Sequence, residues 1–385
     1  MKILHITPTY YPATYWGGPI YSVYALNNAL ARLPGISLKV LTTDSAGPRL
    51  TERLNRYELT GLYPNQEVIM TRRIAGAAMS IELLKKLPGL VRWADVVHLT
   101  ASYSFPTIPT LLVCRILRKP VVWSPRGAIL DAHEWGESRK RLLKRLWERL
   151  CNVLIRPGMV VTHTTSAREQ EVTQARLSKA KAIVISNGVD VPVTLPERDW
   201  LPNGELRLMY MGRLSQKKGI ENLLQTMSLV NDPSISLTIC GKGDASYTAG
   251  LKSLADQLGF LDRSVSFAGH VDGQAKSDAF HQADVCVVPS YTENFCMVVA
   301  EALAHGVPVI TSKGTPWQAI EDKQCGLWVE NDPESLAGAI SRIRLLDLEE
   351  MGRKGRAWMQ NEFGWDAIAC AMRDVYKKMG EVVRA

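Results

Sequence analysis

Short apolar runs recur along this chain, and between many of them apolar residues return at every third or fourth position. The first pattern is that of buried strands and the second that of amphipathic helices, so their alternation predicts βαβ units around parallel sheets. Two series are visible. KILHITP, LKVLTTD, ADVVHLT, PVVWSP, MVVTHTT and AIVISNGVD are the strand candidates of the first, with IYSVYALNNALARL as the helix after the opening strand. LRLMYMG, ISLTICG, VSFAG, DVCVVPS, VPVITS and GLWVE form the second, alternating with GIENLLQTMSLV, SLADQLG, MVVAEALAHG and PESLAGAISRIRLL. Residues 191–203, proline-rich and aperiodic, read as a linker between a first domain over 1–190 and a second over 204–364. A last helix pattern, WDAIACAMRDVYKKM, has no destination fixed by periodicity. The expected class is α/β with two doubly wound parallel sheets. Open parallel sheets bind ligands beyond the carboxyl ends of their strands, so two such domains facing each other predict a ligand in the cleft between them.

Composition narrows the class. The 385 residues are 46% hydrophobic and 22% charged, with no low-complexity tract, which fits a globular protein and excludes a disordered one. No apolar run approaches the roughly 18 residues of a membrane span, and MKILHITPTYYP reads as a strand rather than a leader, so a cytoplasmic location is expected. The 7 cysteines stand singly, in neither a disulfide framework nor a metal-ligand spacing, and are read as reduced thiols. The net charge of +8 is uneven: residues 1–190 carry 26 Lys+Arg against 13 Asp+Glu, the rest 20 against 25, giving +13 and −5. The basic half points to a membrane surface or an anionic acceptor. Nucleic acid is not expected, because the cations are not interleaved with aromatics in a nucleic-acid motif.

The candidate chemistry lies in two segments. In PSYTENFCMVVAEALAHGVPVITS, Glu293 precedes a helix expected to begin near Met297, and Glu301 lies inside it. Glu301 can accept two hydrogen bonds from a ribose diol, the backbone amides of Phe295, Cys296, Met297 and Val298 can face a diphosphate with the helix dipole behind them, and Glu293 then meets a sugar. A surface glutamate and a capping carboxylate are the alternative. Upstream, MGRLSQKKGIENLL ends a strand in Gly212 and Arg213 and starts a helix after Lys218 and Gly219. Two cations there are placed to neutralise a departing pyrophosphate, with a basic surface turn as the alternative.

These segments, in this order, resemble the retaining glycosyltransferases of family 4, the group 1 glycosyltransferases with the GT-B fold. The resemblance extends through YWGGPIYSVYALNNALA, ISNGVD, MGRLSQKKG, ICGKGD, FAGHVD, QADVCVVPS, ENFCMVVAE and the Trp365 helix. It implies two Rossmann-like domains facing across a cleft, with residues 365–385 returning to dock on the first. It implies a retaining, metal-independent hexosyltransferase that moves a sugar from a nucleotide-diphosphate sugar, with UDP or GDP as the nucleotide and no cofactor, to a glycan or lipid-linked saccharide in cell-surface polysaccharide biosynthesis. Carried across by motif, Arg213 and Lys218 resemble the diphosphate-binding pair and Glu301 the ribose ligand. Glu293 resembles the glutamate near the anomeric centre, so Glu293, Arg213 and Lys218 carry the expected catalysis. Gly17 and Gly18 resemble the glycine-rich first loop and Val271 the main-chain grip on the nucleobase, while Asn294, Phe295, Cys296 and Met297 complete the donor segment. Lys276 is a second candidate for the base, against an ordinary exposed helix lysine. Gly241 and Gly243 shape a strand-end loop, with Asp244 expected as an N-cap.

The sequence departs from the family on the acceptor side. Arg126 stands before Gly127 where many members carry histidine, so Arg126, His98 and Tyr103 are the acceptor-side candidates, and Thr315, Pro316 and Trp317 are expected near the active-site rim. Arg126 suits an anionic or hydroxyl-rich acceptor or a structural salt bridge, and His98 a contact with the acceptor or a backbone-satisfied strand end. Residues 137–155 form a basic amphipathic pattern in which Arg139, Lys140, Arg141, Lys144, Arg145 and Arg149 alternate with leucines and Trp147. Such a helix either lies on an anionic membrane, placing the protein at its inner face, or packs its apolar side into the core. The rival functions are a nucleotide-sugar epimerase or phosphorylase of the same architecture, and a non-catalytic sugar-binding or scaffold subunit.

Overall fold

The structure, a computed structural model, describes residues 1–13, 15, 17–55, 61–130 and 141–382. The chain divides into two compact units, Met1–Gly188 with Trp365–Ala385, and Val189–Gly364.

In the first unit, β1 (Lys2–Ile6), β2 (Ser37–Thr43), β3 (Gln66–Thr71), β4 (Val96–Thr100), β5 (Val121–Ser124), β6 (Val160–Thr164) and β7 (Lys181–Val184) form one sheet in the order β3-β2-β1-β4-β5-β6-β7. Every pairing is parallel. The central strands are almost wholly buried, which is why they read as continuous apolar runs rather than alternations. β3 is absent from the strand candidates because QEVIMT opens on Gln and Glu and lies at the sheet edge. The helix Gly18–Arg32 buries Val23, Leu26 and Leu30 in a cluster completed by Ile368, Met372, Tyr376 and Met379 of the helix Trp365–Val382. A 3.6-residue repeat on both helices produces that match of faces.

In the second unit, β8 (Leu206–Met211), β9 (Ile235–Cys240), β10 (Val265–Gly269), β11 (Val285–Val288), β12 (Val309–Ser312) and β13 (Gly326–Val329) form a parallel sheet in the order β10-β9-β8-β11-β12-β13. Residues 191–203, read as a linker, are fastened into this unit. The Arg198 guanidinium donates to the carbonyls of Ala283 (2.7 Å), Phe280 and His305 (3.2 Å each), and Trp200 and Leu201 pack against the core. Irregular backbone is held here by side-chain hydrogen bonds in place of periodicity. Asp244 caps the helix Ala245–Gln257, accepting from the amides of Ser246 (2.9 Å) and Tyr247 (3.2 Å).

Each sheet reverses its strand order once, between β1 and β4 in the first unit and between β8 and β11 in the second. Chains leaving neighbouring strands there turn to opposite faces of the sheet and open a crevice at the carboxyl ends.

Candidate active site

In the second unit that crevice is flanked by the loop after β8, which carries Arg213 and Lys218, and the loop after β11, which carries Glu293. Backbone contacts hold the two loops together: the Tyr291 amide donates to the Lys217 carbonyl at 2.9 Å, and the Glu293 amide to the Gly314 carbonyl at 2.9 Å. Gly219 closes the first loop at φ +63°, and a Cβ there would lie 2.2 Å from the Pro289 carbonyl oxygen. Only glycine permits that conformation and that approach together.

The Lys218 ammonium donates to a Glu293 carboxylate oxygen, and the Ser290 hydroxyl donates to the same oxygen at 2.8 Å. Their side chains keep 18% and 10% of their surface, so the pair is nearly enclosed but still open to a ligand. Burial works against both charges, and the pairing outweighs it. Lys218 is raised above the ordinary lysine value by Glu293, and Glu293 is lowered below the ordinary carboxylate value by Lys218, Ser290 and Lys217. Both groups are therefore ionised at neutral pH. Arg213 is exposed and has no ion-pair partner among the described residues, which leaves its guanidinium available to an anion.

The helix Met297–Ala304 begins where the sequence places it. Its N-cap, Cys296, sits at φ +64° and gives no side-chain cap, so the first amides remain for a ligand's oxygens. The side chains of Phe295 and Cys296 lie in the core, 6% and 7% exposed, while Asn294 and Met297 are partly buried. Trp317 is not on the rim. It is 3% exposed, and its indole N–H donates to the Phe295 carbonyl from within a cluster with Trp358 and Phe363. Thr315 is likewise buried, bonded to the Ser312 carbonyl at 2.9 Å, because the turn after β12 folds beneath the glutamate loop.

Glu301 lies one turn inside that helix and accepts from Lys276 at 2.6 Å, with side-chain exposures of 21% and 30%. Lys276, alternatively an ordinary helix lysine, thus faces the expected ribose ligand. Val271 is partly buried in the loop after β10.

The first unit is built differently. Gly17 caps the helix Gly18–Arg32 at φ 74°, ψ −145°, a glycine conformation in the loop after β1, and Gly18 is the helix's first residue. His5 and His98 are paired in register and stack with ring centroids 4.2 Å apart. His163 donates from Nε2 to the Ile185 carbonyl (2.9 Å), which can only accept. Its Nδ1 therefore accepts from the Ser124 hydroxyl (2.7 Å), Ser124 accepts from His98 Nε2–H (2.7 Å), and His98 Nδ1 accepts from the Tyr376 hydroxyl (2.5 Å). His5 bonds to Asn27 (2.6 Å) and Thr100 (2.7 Å). Burial lowers His5 and His163 to about 3 and His98 well below its ordinary value. His98, an acceptor-side candidate, is thus fully buried and satisfied by side chains rather than backbone. It does not meet an acceptor directly, because His5, Ser124 and Tyr376 enclose its ring.

Arg126, at φ +55°, donates to the Asn187 side chain, and burial lowers it to about 10 against the opposing charge of Glu169. Glu169, fully buried, accepts from the amides of Gly127 and Thr165 and fixes this turn. Tyr103 donates its hydroxyl to Glu148 and so is engaged in holding the helix Arg141–Leu154. Arg139 and Lys140 lie outside the described residues. Sequence reasoning passed over His5, His163 and Glu169. The signal for the histidines was one imidazole near the end of each of three strand candidates, HITP, VHLT and THTT.

The sequence and the fold both match known proteins. Residues 16–192 match the family described as Glycosyltransferase Family 4, and residues 205–345 that described as Glycosyl transferases group 1. The glycogen synthase of Mycobacterium tuberculosis is 32% identical over 311 residues, covering 77% of this chain and 73% of that one. The chain belongs to the group 1 glycosyltransferases. The matches to the uncharacterized glycosyltransferase MJ1607 of Methanocaldococcus jannaschii and to the D-inositol 3-phosphate glycosyltransferase of Streptomyces griseus are shorter, spanning 59% and 40% of those proteins. The sucrose-phosphate synthase of Thermosynechococcus elongatus superposes on this glycosyltransferase with a TM-score of 0.73 at 22% identity, over 98% of each chain. Anabaena HepE, solved with UDP-glucose, does so with a TM-score of 0.69 at 16% identity, over 98% of this chain and 99% of that one. The fold is GT-B.

Proposed function

We propose that this glycosyltransferase transfers a sugar, with retention at the anomeric carbon and without a metal ion, from a UDP-sugar to a glycan or lipid-linked saccharide in cell-surface polysaccharide synthesis at the inner face of the membrane. The reading rests above all on the Lys218–Glu293 pair, enclosed at the strand-order reversal of the second sheet beside an uncapped helix start. Lys218, the exposed Arg213 and the amides of Met297 and Val298 supply the positive field that a leaving diphosphate needs, in place of a divalent cation. UDP is preferred over GDP because HepE was solved with UDP-glucose.

In this scheme the acceptor oxygen bonds to the anomeric carbon on the face from which the diphosphate departs. The C–O bond electrons stay on the diphosphate, which also takes the hydroxyl proton, so no second carboxylate is required as base. Glu293 contacts the donor sugar and, through Lys218, couples sugar position to phosphate position. Glu301 exchanges Lys276 for the ribose hydroxyls. Gly17 and Gly18 let backbone approach the ligand, Val271 grips the base through its main chain, and Arg126 is the first unit's candidate for an acceptor's anionic or hydroxyl groups.

Thermal stabilisation by UDP, GDP, ADP and their sugars, with and without EDTA, tests the donor side. UDP at about 100 times its Kd should add about 2.7 kcal/mol, unchanged by EDTA and absent in Glu301→Ala. No shift with any nucleotide would remove the donor site. NMR of the released or transferred sugar tests retention, and an inverted product would refute it.

A further inference from the structure

The helix Arg141–Leu154 is turned the wrong way for a core helix. It buries Glu148 and Cys151 and leaves Leu142, Leu143, Leu146, Leu150 and Val153 between 45% and 77% exposed. At about 100° per residue, these five positions fall within an arc of about 100°, one continuous apolar stripe. The orientation is fixed from beneath: Glu148 is paired with Arg176 at 3.2 Å and accepts from Tyr103, and the Trp147 indole donates to the Ser102 carbonyl at 2.9 Å. The alternative of a core-packed apolar side does not hold.

Cations border the stripe. Arg141, Arg145 and Arg149 are exposed along one flank, and none has an ion-pair partner among the described residues. At the helix's end a recess of about 300 Å³ opens among Arg115, Arg156 and Lys179. Arg115 reaches it from the neighbouring helix Thr107–Ile116, its guanidinium held by the carbonyls of Val153 (3.2 Å) and Leu154 (3.3 Å). That helix adds Leu112 and Ile116, 43% and 68% exposed, to the apolar surface.

We propose that this face docks on an anionic lipid bilayer, with the leucines at the acyl boundary and a lipid phosphate in the recess between Arg115, Arg156 and Lys179. Charge selects the occupant. A second copy of the chain, paired through the same face, would set like charges against each other, and a nucleic acid would satisfy the cations while leaving the stripe in water. Only a surface with anionic headgroups above hydrocarbon matches both parts. The proposal deepens the functional reading by naming where a lipid-linked acceptor would be met, and relies on that reading only for the acceptor.

The test is co-sedimentation of the full chain with vesicles of phosphatidylcholine alone and of phosphatidylcholine with phosphatidylglycerol. Binding should appear with the anionic vesicles and weaken with salt. R156A/K179A should lower partition by about 25-fold, taking about fivefold per cation near the surface, and L146S/L150S by about tenfold or more. All the substituted side chains are exposed, so the melting temperature and its rise with UDP should remain those of the unsubstituted chain, which separates failure of the surface from failure of the donor site. Equal partition of L146S/L150S and the unsubstituted chain would overturn the proposal. So would absence of vesicle binding with stabilisation by inorganic phosphate, which would make the recess a free-phosphate site, or concentration-dependent dimerisation abolished by L146S/L150S.

Discussion

The carboxyl ends of the two sheets share a topology and solve the burial of polar groups in opposite ways. Beneath the first, neutral imidazoles and hydroxyls satisfy one another in a chain that runs from Tyr376 to the Ile185 carbonyl. Beside the second, full charges are matched in pairs, Lys218 with Glu293 and Lys276 with Glu301, each retaining some exposed surface. A closed chain of neutral hydrogen bonds has nothing to offer a ligand and fixes the scaffold. An ion pair at the edge of solvent can exchange one partner for a phosphate or a diol at little cost, because the incoming group replaces the charge or hydrogen bond that is lost.

Four experiments would break or sharpen that contrast. Lys218→Met should reduce kcat by about 10³-fold or more, the scale of losing one electrostatic stabiliser of a leaving group. It should also destabilise the fold, since Glu293 is left as an enclosed unpaired charge. Lys218→Met with Glu293→Gln should regain stability but not turnover, and recovery of turnover would deny the pair a role in chemistry.

The second experiment is acid titration of stability by urea unfolding. His5 and His163 sit at about 3 in the fold, His98 well below its ordinary value, and all three near 6.5 when unfolded. Between about pH 6.5 and 3 the unfolded chain binds more protons, so stability is complete above that window and falls as pH falls through it. The slope is about 1.4 kcal/mol per pH unit for each histidine. His163→Gln should reduce the slope by one proton's worth. Glu293, whose folded value is lowered, acts in the same direction but only below the ordinary carboxylate range.

Tyr376→Phe should cost about 1–3 kcal/mol by leaving His98 Nδ1 a buried acceptor without a donor, read as a lower melting temperature with UDP binding intact. Lys276→Ala should be the mildest, within about 1 kcal/mol for a partly exposed pair. Isothermal titration with UDP checks whether Glu301, once freed, still binds.

Much of this was legible in the sequence for a stated reason. Strands buried on both faces must be apolar throughout, so twelve runs announced themselves, and the helix expected to begin near Met297 begins there. The edge strand Gln66–Thr71 escaped because an edge needs less apolar surface. At the site, residue types and spacing pointed to Glu293, Lys218 and Glu301. Lys276 was also a candidate, but which carboxylate each lysine meets was not legible, because the pairings Lys218–Glu293 and Lys276–Glu301 join loops and helices far apart in sequence. Periodicity placed leucines on one side of the helix Arg141–Leu154 but not the direction that side faces, which is decided by Glu148 pairing with Arg176.

The helix Trp365–Val382 belongs to the first unit, yet it is translated only after the whole of the second. At about 5–20 residues per second, roughly 10–40 s separate the synthesis of Gly188 from the arrival of Tyr376. During that interval the nascent chain carries Val23, Leu26 and Leu30 without their cover and His98 without its hydroxyl donor, while the intervening unit already has its whole sequence. Connectivity thus gives the inserted unit its whole sequence before its host has its own, and leaves the apolar face of the helix Gly18–Arg32 uncovered in the interval.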